Sequence, residues 1–407
     1  LQYDFDSILD RSGTHAIAID AIGTPEGFGF APEAPKEGWD VIPMWVADMN
    51  FPGPQSVVDA VVERAKHPAF GYFSPSDEYC DAIIRWHAAR KGVTSGLEKE
   101  HIGYENGVLG GVASAITAFS APGDKILLHS PTYIGFQGTV NNLGRKMVLS
   151  DLVRDEAGVW RMDFDDMERK LRDQNIHLAI FCSPFNPCGR VWEQWEIERA
   201  MVLYQKYECV VINDEIWSDL ILEQDRPFVT TQSVSEWARQ NVLSFYAPSK
   251  TFNLAGLIGS YHVVYNKRLR DRLNSVADST HYNNMNCLSE RALIGAYSDE
   301  GSSWLDQLLP VLRGNRDYAC DYIEQHFGGV SVFRPEGTYM LFLDCAGWLQ
   351  EHGKTQHELL KAGWDVGVAW QDGAMFNGPT HIRMNLALPL GRVQEAFRRL
   401  DEQVFNA

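Results

Sequence analysis

Between about residue 100 and residue 246 the chain repeats one texture: a short, mainly apolar run, then a helical stretch. The runs are Lys125–His129 (KILLH), Leu178–Phe181 (LAIF), Cys209–Ile212 (CVVI) and Val242–Tyr246 (VLSFY). Strands that lack a polar alternation are strands buried on both faces. With helices between them, such as Gly107–Phe119 and Trp195–Tyr207, they predict an α/β fold around a mostly parallel sheet covered on both sides. Ligands of such sheets collect beyond the carboxyl ends of the strands. Chemistry is therefore expected in the residues that follow each run.

The flanks read differently. At 407 residues the chain exceeds one average domain, and two are expected. The first is a large domain over residues 51–285. The second is a smaller α+β domain over 286–407, joined by an N-terminal arm, residues 1–50. The arm is rich in Gly and Pro and ends in a short strand, Val41–Val46. Pro54 opens a helix running to Ala65, with Val57, Val58, Val61 and Val62 at helical spacing. An aromatic loop, Phe70–Phe73, precedes a second helix over Glu78–Arg90. Helices over Ser289–Ala296 and Trp304–His326 lead to strands at Val330–Phe333, Met340–Leu343 and His381–Asn385.

A net charge of −18 argues against nucleic acid or an anionic membrane as partner. No apolar run approaches the roughly 20 residues of a membrane helix. The seven cysteines are scattered and form no CxxC, and there is no HExxH. Packed thiols in a reducing cytoplasm are expected, and no metal. The first residues, LQYDFDSILDR, lack the basic and apolar regions of a signal peptide, which also points to the cytoplasm.

Six features stand out, Lys250 and five that keep it company. Lys250 lies just beyond VLSFY, between Ser249 and Thr251. Burying a lysine is costly; one use for it is as an amine that forms a Schiff base with a carbonyl such as that of pyridoxal phosphate. A surface lysine in a loop fits this stretch equally well. Asp214 ends CVVIND and suits a pyridinium nitrogen or, alternatively, a helix cap. Asn186, in Asn-Pro-Cys-Gly, can donate to a phenolic oxygen or simply make a turn. Tyr133 can stack on a ring or merely pack. Gly107, Val108 and Leu109 can offer backbone N–H groups to a phosphate at a helix start. Arg383, a charge in the apolar strand His-Ile-Arg-Met-Asn, can clamp a substrate carboxylate or face solvent.

The order Asn186, Asp214, Lys250, Arg383 resembles the fold-type I pyridoxal-phosphate enzymes. The stretches Met44–Pro52 (MWVADMNFP), Phe70–Tyr72, Asn186–Trp192 (NPCGRVW), Asn213–Ile216, Pro248–Leu257 (PSKTFNLAGL) and Gly337–Asp344 (GTYMLFLD) resemble the MalY/PatB group of cystathionine β-lyases, or C–S lyases. The likeness runs from about residue 3 to 400. It implies that Lys250 holds pyridoxal 5'-phosphate as a Schiff base and acts in catalysis, with Asp214 on the ring nitrogen. It implies Asn186 at the phenolic oxygen and Tyr133 on the ring. Gly107, Val108, Leu109, Ser249 and Trp217 would be further cofactor contacts, and Arg383 and Asn186 would bind the amino-acid substrate. Tyr72 would reach the cofactor phosphate and substrate of a neighbouring subunit in a homodimer with shared active sites.

The sequence departs from that group in places. Trp217 stands where the lyases usually have His, Asn50 where Asp is usual, and Phe245-Tyr246-Ala247 where small or hydroxyl residues precede the lysine motif. Ile258 occupies the position at which many aminotransferases carry an arginine, in agreement with the lyase group. The resemblance implies β-elimination that yields pyruvate, ammonia and a thiol. The same residues support transamination, and a cofactor-bearing regulatory protein is a third reading. Loops 24–38, 72–76 and 280–286 are expected to shape the pocket; Trp217, Tyr246 and Tyr282 fit either a partly aromatic pocket or the core.

Overall fold

A computed structural model describes residues 3–25 and 29–407; Glu26, Gly27 and Phe28 of the 24–38 loop lie outside the described residues. The chain divides into two compact units. One holds Gly53–Asn186 and Arg190–Asp306; the other holds Leu1–Pro52, Pro187–Gly189 and Gln307–Ala407.

The first unit is built on an eight-stranded sheet. Its order is Ile102–Asn106, Gly259–Val263, Val242–Tyr246, Val210–Asp214, Leu178–Cys182, Lys125–Ser130, Lys146–Arg154 and Trp160–Met162. The five strands from Val242–Tyr246 to Lys146–Arg154 are mutually parallel, while Gly259–Val263 and Trp160–Met162 run against their neighbours. The apolar runs form the centre: every residue of Leu178–Cys182 and Val242–Tyr246 is buried. The helix Val108–Phe119 buries Val112, Ala115 and Ile116 completely, and Gly111 on it faces the Phe245 ring.

Four strands of this unit have no counterpart among the expected runs, the three-residue Trp160–Met162 among them. Lys146–Arg154 alternates between buried and open positions beyond the sheet centre, so its polar residues mask it. Ile102–Asn106 and Gly259–Val263 contain Glu105 and His262, buried side chains whose Oε1 and Nδ1 meet at 2.7 Å. Between Lys250 and the last of these strands the backbone twice enters the left-handed region, at Asn253 (φ 59°) and Ile258 (φ 61°). For a β-branched residue such as Ile258 this conformation is a true outlier.

The helices start where capping chemistry puts them. Pro54 precedes Gln55–Lys66. Ser76 accepts from Tyr79 N–H at the start of Asp77–Arg90. Of the four valines expected on one face of Gln55–Lys66, Val57 is buried while Val58 and Val62 are half exposed. The border expected at 285 falls inside this unit, because the helix Cys287–Ala296 is bound into it. Ser56 Oγ donates to Gly295 O (2.8 Å) and Ser289 Oγ to Leu257 O.

The second unit holds a four-stranded antiparallel sheet in the order Ser331–Val332, Met340–Asp344, His381–Asn385, Gln371–Asp372. The strand expected at Val41–Val46 is only Ile42–Pro43, paired parallel with Val368–Ala369. Its core gathers Ile42, Met44, Ile323, Leu341, Trp370 and Phe397. The arm is stitched to the strand His381–Asn385, with Asn385 Nδ2 donating to Val46 O (2.7 Å) and Asp48 O (2.5 Å). Arg11 pairs with Asp48 and also donates to Asn50 Oδ1 (3.0 Å). Asn50 thus satisfies Arg11 without a second negative charge. None of the seven cysteines forms a disulfide. Among the described residues, no helix is long and apolar enough to cross a membrane.

Two glycines test the packing against the sheet. A Cβ on Gly111 would lie 2.5 Å from the Phe245 ring, whereas one on Gly138, also helical, would meet nothing within 4 Å. Gly111→Ala is expected to destabilise by about 1–3 kcal/mol, and Gly138→Ala to stabilise by up to about 1 kcal/mol. Urea unfolding midpoints of the two variants check the contrast.

Candidate active site

Three neighbouring strands of the first unit, Leu178–Cys182, Val210–Asp214 and Val242–Tyr246, end in register, with Cys182 opposite Asp214 and Asp214 opposite Phe245. The segments that leave these ends carry Asn186, Asp214 with Trp217, and Lys250. Adjacent parallel strands therefore deliver these residues to one edge of the sheet, where such folds bind ligands.

Lys250 is half-buried on a single helical turn, Ser249–Phe252, directly after the strand. It is not a loop lysine. Its Nζ lies 5.7 Å from the centre of the Trp217 ring, on the face of the indole. Asp214 is buried and accepts the Ile216 N–H (2.9 Å). The segment after Asp214 is a turn, so the carboxylate caps no helix. Desolvation pushes the Asp214 carboxyl up to about 7, while the Ile216 N–H and the positive charge of Lys250 pull the other way. A carboxylate raised this far by burial is one that an added cation or N–H donor would stabilise strongly.

Gly107 has φ 83° and ψ 145°, a conformation that favours glycine. It begins the twelve-residue helix Val108–Phe119 with no side-chain cap, so first-turn N–H groups are unfilled by the helix itself. Tyr282 closes over this start. Its hydroxyl donates to Asn106 O and Gly107 O, and a Cβ on Gly110 would collide with it. Tyr133 precedes the helix Ile134–Asn142. Its ring and the Leu109 side chain both border Gly135, so Tyr133 stands beside the start of the Val108 helix. Ile258 Cγ2 would lie 3.8 Å from a Cβ on Gly107; an aliphatic side chain, not an arginine, sits there. Asn186 is buried in the turn closed by Phe185 N–H to Arg190 O (2.7 Å).

Arg383 belongs to the second unit and is buried, not solvent-facing. Its Nη2 donates to Trp45 O (3.1 Å) and Gln371 Oε1 (2.5 Å), and the guanidinium lies 4.4 Å from the Phe376 ring centre. These contacts fix the plane of the group. Tyr72, in contrast, is fully exposed in the single chain.

Tyr246, an aromatic candidate for the pocket, is core. It stacks on Tyr261 at 5.5 Å and donates to Glu215. Glu215, next to Asp214, is wholly buried, accepts Thr231 N–H (2.8 Å), and is pushed up by desolvation. The Arg190 of the Asn186 motif is buried against Glu196. Sequence reasoning missed Glu215, Glu196, Gln371 and the pair Lys91–Asp219. Glu215 was visible as an acid directly beside Asp214, and Asp219 as another acid five residues after it.

Pyridoxal phosphate asks for an amine, a carboxylate at the ring nitrogen, an aromatic face and phosphate donors. The residues of the first unit fit it. Lys250 is electrostatically tied to a desolvated Asp214, Tyr133 borders the uncapped helix start, and Gly107 leaves that start open.

The family model for aminotransferase class I and II matches residues 40–400. The chain is 30% identical over 401 residues to the cystathionine beta-lyase PatB of Bacillus subtilis, spanning 98% of both chains. It is 26% identical to the MalY protein of Escherichia coli over 97% of this chain and 96% of that one. Among solved structures it is similar to cystalysin from Treponema denticola, which contains a pyridoxal 5'-phosphate cofactor, with TM-score 0.89, 26% identity and 99% coverage of both. A PLP-bound C–S lyase from Staphylococcus hominis gives TM-score 0.88, 27% identity and coverage of 99% and 98%.

Asp214 makes the ligand-free protein sensitive to pH. Its folded value, about 7, lies above the unfolded value of about 3.9. The folded state therefore holds the proton more tightly, and this stabilisation is full below about pH 4 and lost as pH rises through 7. Asp214→Asn is expected to flatten that decline in urea-unfolding midpoints taken from pH 4 to 8. Equal slopes in both proteins would count against a buried, proton-binding Asp214.

Proposed function

The chain belongs to the aminotransferase class I and II family, and on that premise we propose that it is a pyridoxal-phosphate-dependent carbon–sulfur β-lyase. It acts on cystathionine or cysteine conjugates and releases pyruvate, ammonia and a thiol. One observation carries the cofactor assignment: a buried carboxyl, Asp214, whose proton affinity is raised by desolvation and opposed by the charge of Lys250. The lyase assignment rests on the likeness to PatB, cystalysin and the C–S lyase.

The bound cofactor supplies an electron sink at the substrate α-carbon. Lys250 would hold it through its side-chain amine, and the Lys250 Nζ, when free, would be the base that takes the proton from the α-carbon. Asp214 would keep a proton on the ring nitrogen. Asn186 would donate to the phenolic oxygen, Tyr133 would cover the ring face, and the N–H groups of Gly107, Val108 and Leu109, with Ser249, would hold the phosphate. Trp217 borders the Lys250 amine, offering one N–H and no acid or base. Arg383 grips the substrate carboxylate, its plane set by Gln371 and Trp45 O. The sulfur leaves with a proton from Lys250 or a tyrosine.

The larger unit carries the cofactor in this reading, and the enzyme is a cytoplasmic homodimer. Exposed Val58, Val62, Phe70 and Tyr72 support a second copy against that region, with Tyr72 reaching its cofactor phosphate and substrate. The absence of disulfides agrees with a reducing compartment.

Purified enzyme supplied with cystathionine is expected to yield pyruvate and ammonia with no keto acid added. Strict dependence on 2-oxoglutarate or pyruvate as acceptor would replace the lyase by an aminotransferase. Lys250→Ala is expected to abolish turnover. Arg383→Lys should raise KM by about 10- to 100-fold, because a charge-assisted hydrogen bond contributes about 1.5–3 kcal/mol; an unchanged KM removes Arg383 from the carboxylate.

A further inference from the structure

Beneath the turn that bears Lys250 lies an ion pair that is almost wholly out of water. Lys91 Nζ meets Asp219 Oδ1 at 2.6 Å, with side-chain exposures of 1% and 3%. Lys91 leaves the end of the helix Asp77–Arg90 and also donates to Ser218 Oγ (2.6 Å). Asp219 takes two further bonds, from Trp86 Nε1 to Oδ1 (3.1 Å) and from Thr251 Oγ1 to Oδ2 (3.1 Å). Thr251 is fully buried and directly follows Lys250.

A buried ion pair is weak evidence for stability, since apolar packing of equal volume commonly does as well. Its retention calls for another account, and the geometry offers one. The segment 214–219 carries Asp214 at one end, which senses the Lys250 charge, and Asp219 at the other, bonded to Thr251. Trp217, between them, faces the Lys250 amine. Two adjacent residues of one helical turn are thus tied to one neighbouring segment. Residues on such a turn are separated by about 100°, so fixing Thr251 fixes the rotation of the turn and the direction in which Lys250 leaves it. Phe252 secures the next position against Trp86 (5.7 Å) and Trp304 (5.7 Å).

We propose that Asp219, held by Lys91 and acting through the Thr251 hydroxyl, is a positioning residue that aims the Lys250 amine. The proposal rests on the reading that Lys250 carries the cofactor. Removing the hydroxyl is expected to leave the Lys91–Asp219 pair in place and to loosen the turn, held then by Phe252.

The test compares holoenzymes of the wild type, Thr251→Val, Thr251→Ser, Thr251→Ala and Lys250→Ala. Expected for Thr251→Val is a fall in kcat of about 10- to 100-fold with KM little changed. The pH midpoint of the cofactor absorbance band should shift, and formation of the borohydride-fixed adduct should slow. Thr251→Ser, which keeps the hydroxyl, is expected to restore all three. Thr251→Ala is read in the same way if the valine variant does not fold. Wild-type kcat, absorbance midpoint and adduct rate in the hydroxyl-free variants overturn the proposal, as does a serine variant no better than alanine. An adduct that still forms in Lys250→Ala instead overturns the assignment of Lys250 itself.

Discussion

Taking Asp214 out of water is the constraint on which the larger unit turns. A lone buried carboxylate is expensive, and the carboxyl answers by holding its proton up to about pH 7. The surroundings oppose that response with the Ile216 N–H and the charge of Lys250. Glu215, the next residue, meets the same desolvation and is relieved within the protein, by Thr231 N–H and the Tyr246 hydroxyl. Successive residues of a strand point to opposite faces. One acid is therefore bound into the body of the unit, and the other stands at the edge where a ligand fits.

The same division recurs in the basic groups. Lys91, Arg190 and Arg270 are buried and bonded to carboxylates or carbonyls of their own unit. Arg383 is buried as well, and its bonds to a backbone carbonyl and the amide of Gln371 orient the guanidinium. An oriented, charged arginine suits a carboxylate ligand.

Much of this was legible in the residues themselves. LAIF, CVVI and VLSFY had to be central strands, because their apolar side chains leave no face for water. Lys250 and Asp214 stood out as charges at the ends of those runs. Lys146–Arg154 stayed hidden because half of its side chains face outward at the margin of the sheet. Gly259–Val263 hid because its Ser and His are satisfied only across the sheet, by Glu105. The Lys91–Asp219 pair joins residues 128 apart. No local pattern marks such a lysine as buried, since its partner exists only once the chain has folded. Tyr246 had two readings, pocket or core, and only its packing on Tyr261 and Glu215 separates them.

Trp217 leaves one lasting mark on how this molecule can be studied. An imidazole there would gain and lose charge near neutrality, adding a limb to any titration curve measured at the cofactor. The indole is uncharged throughout that range. Inflections in such a curve then report on fewer groups, and an optical or kinetic profile from this chain can be assigned more directly than one from a chain with histidine at that position.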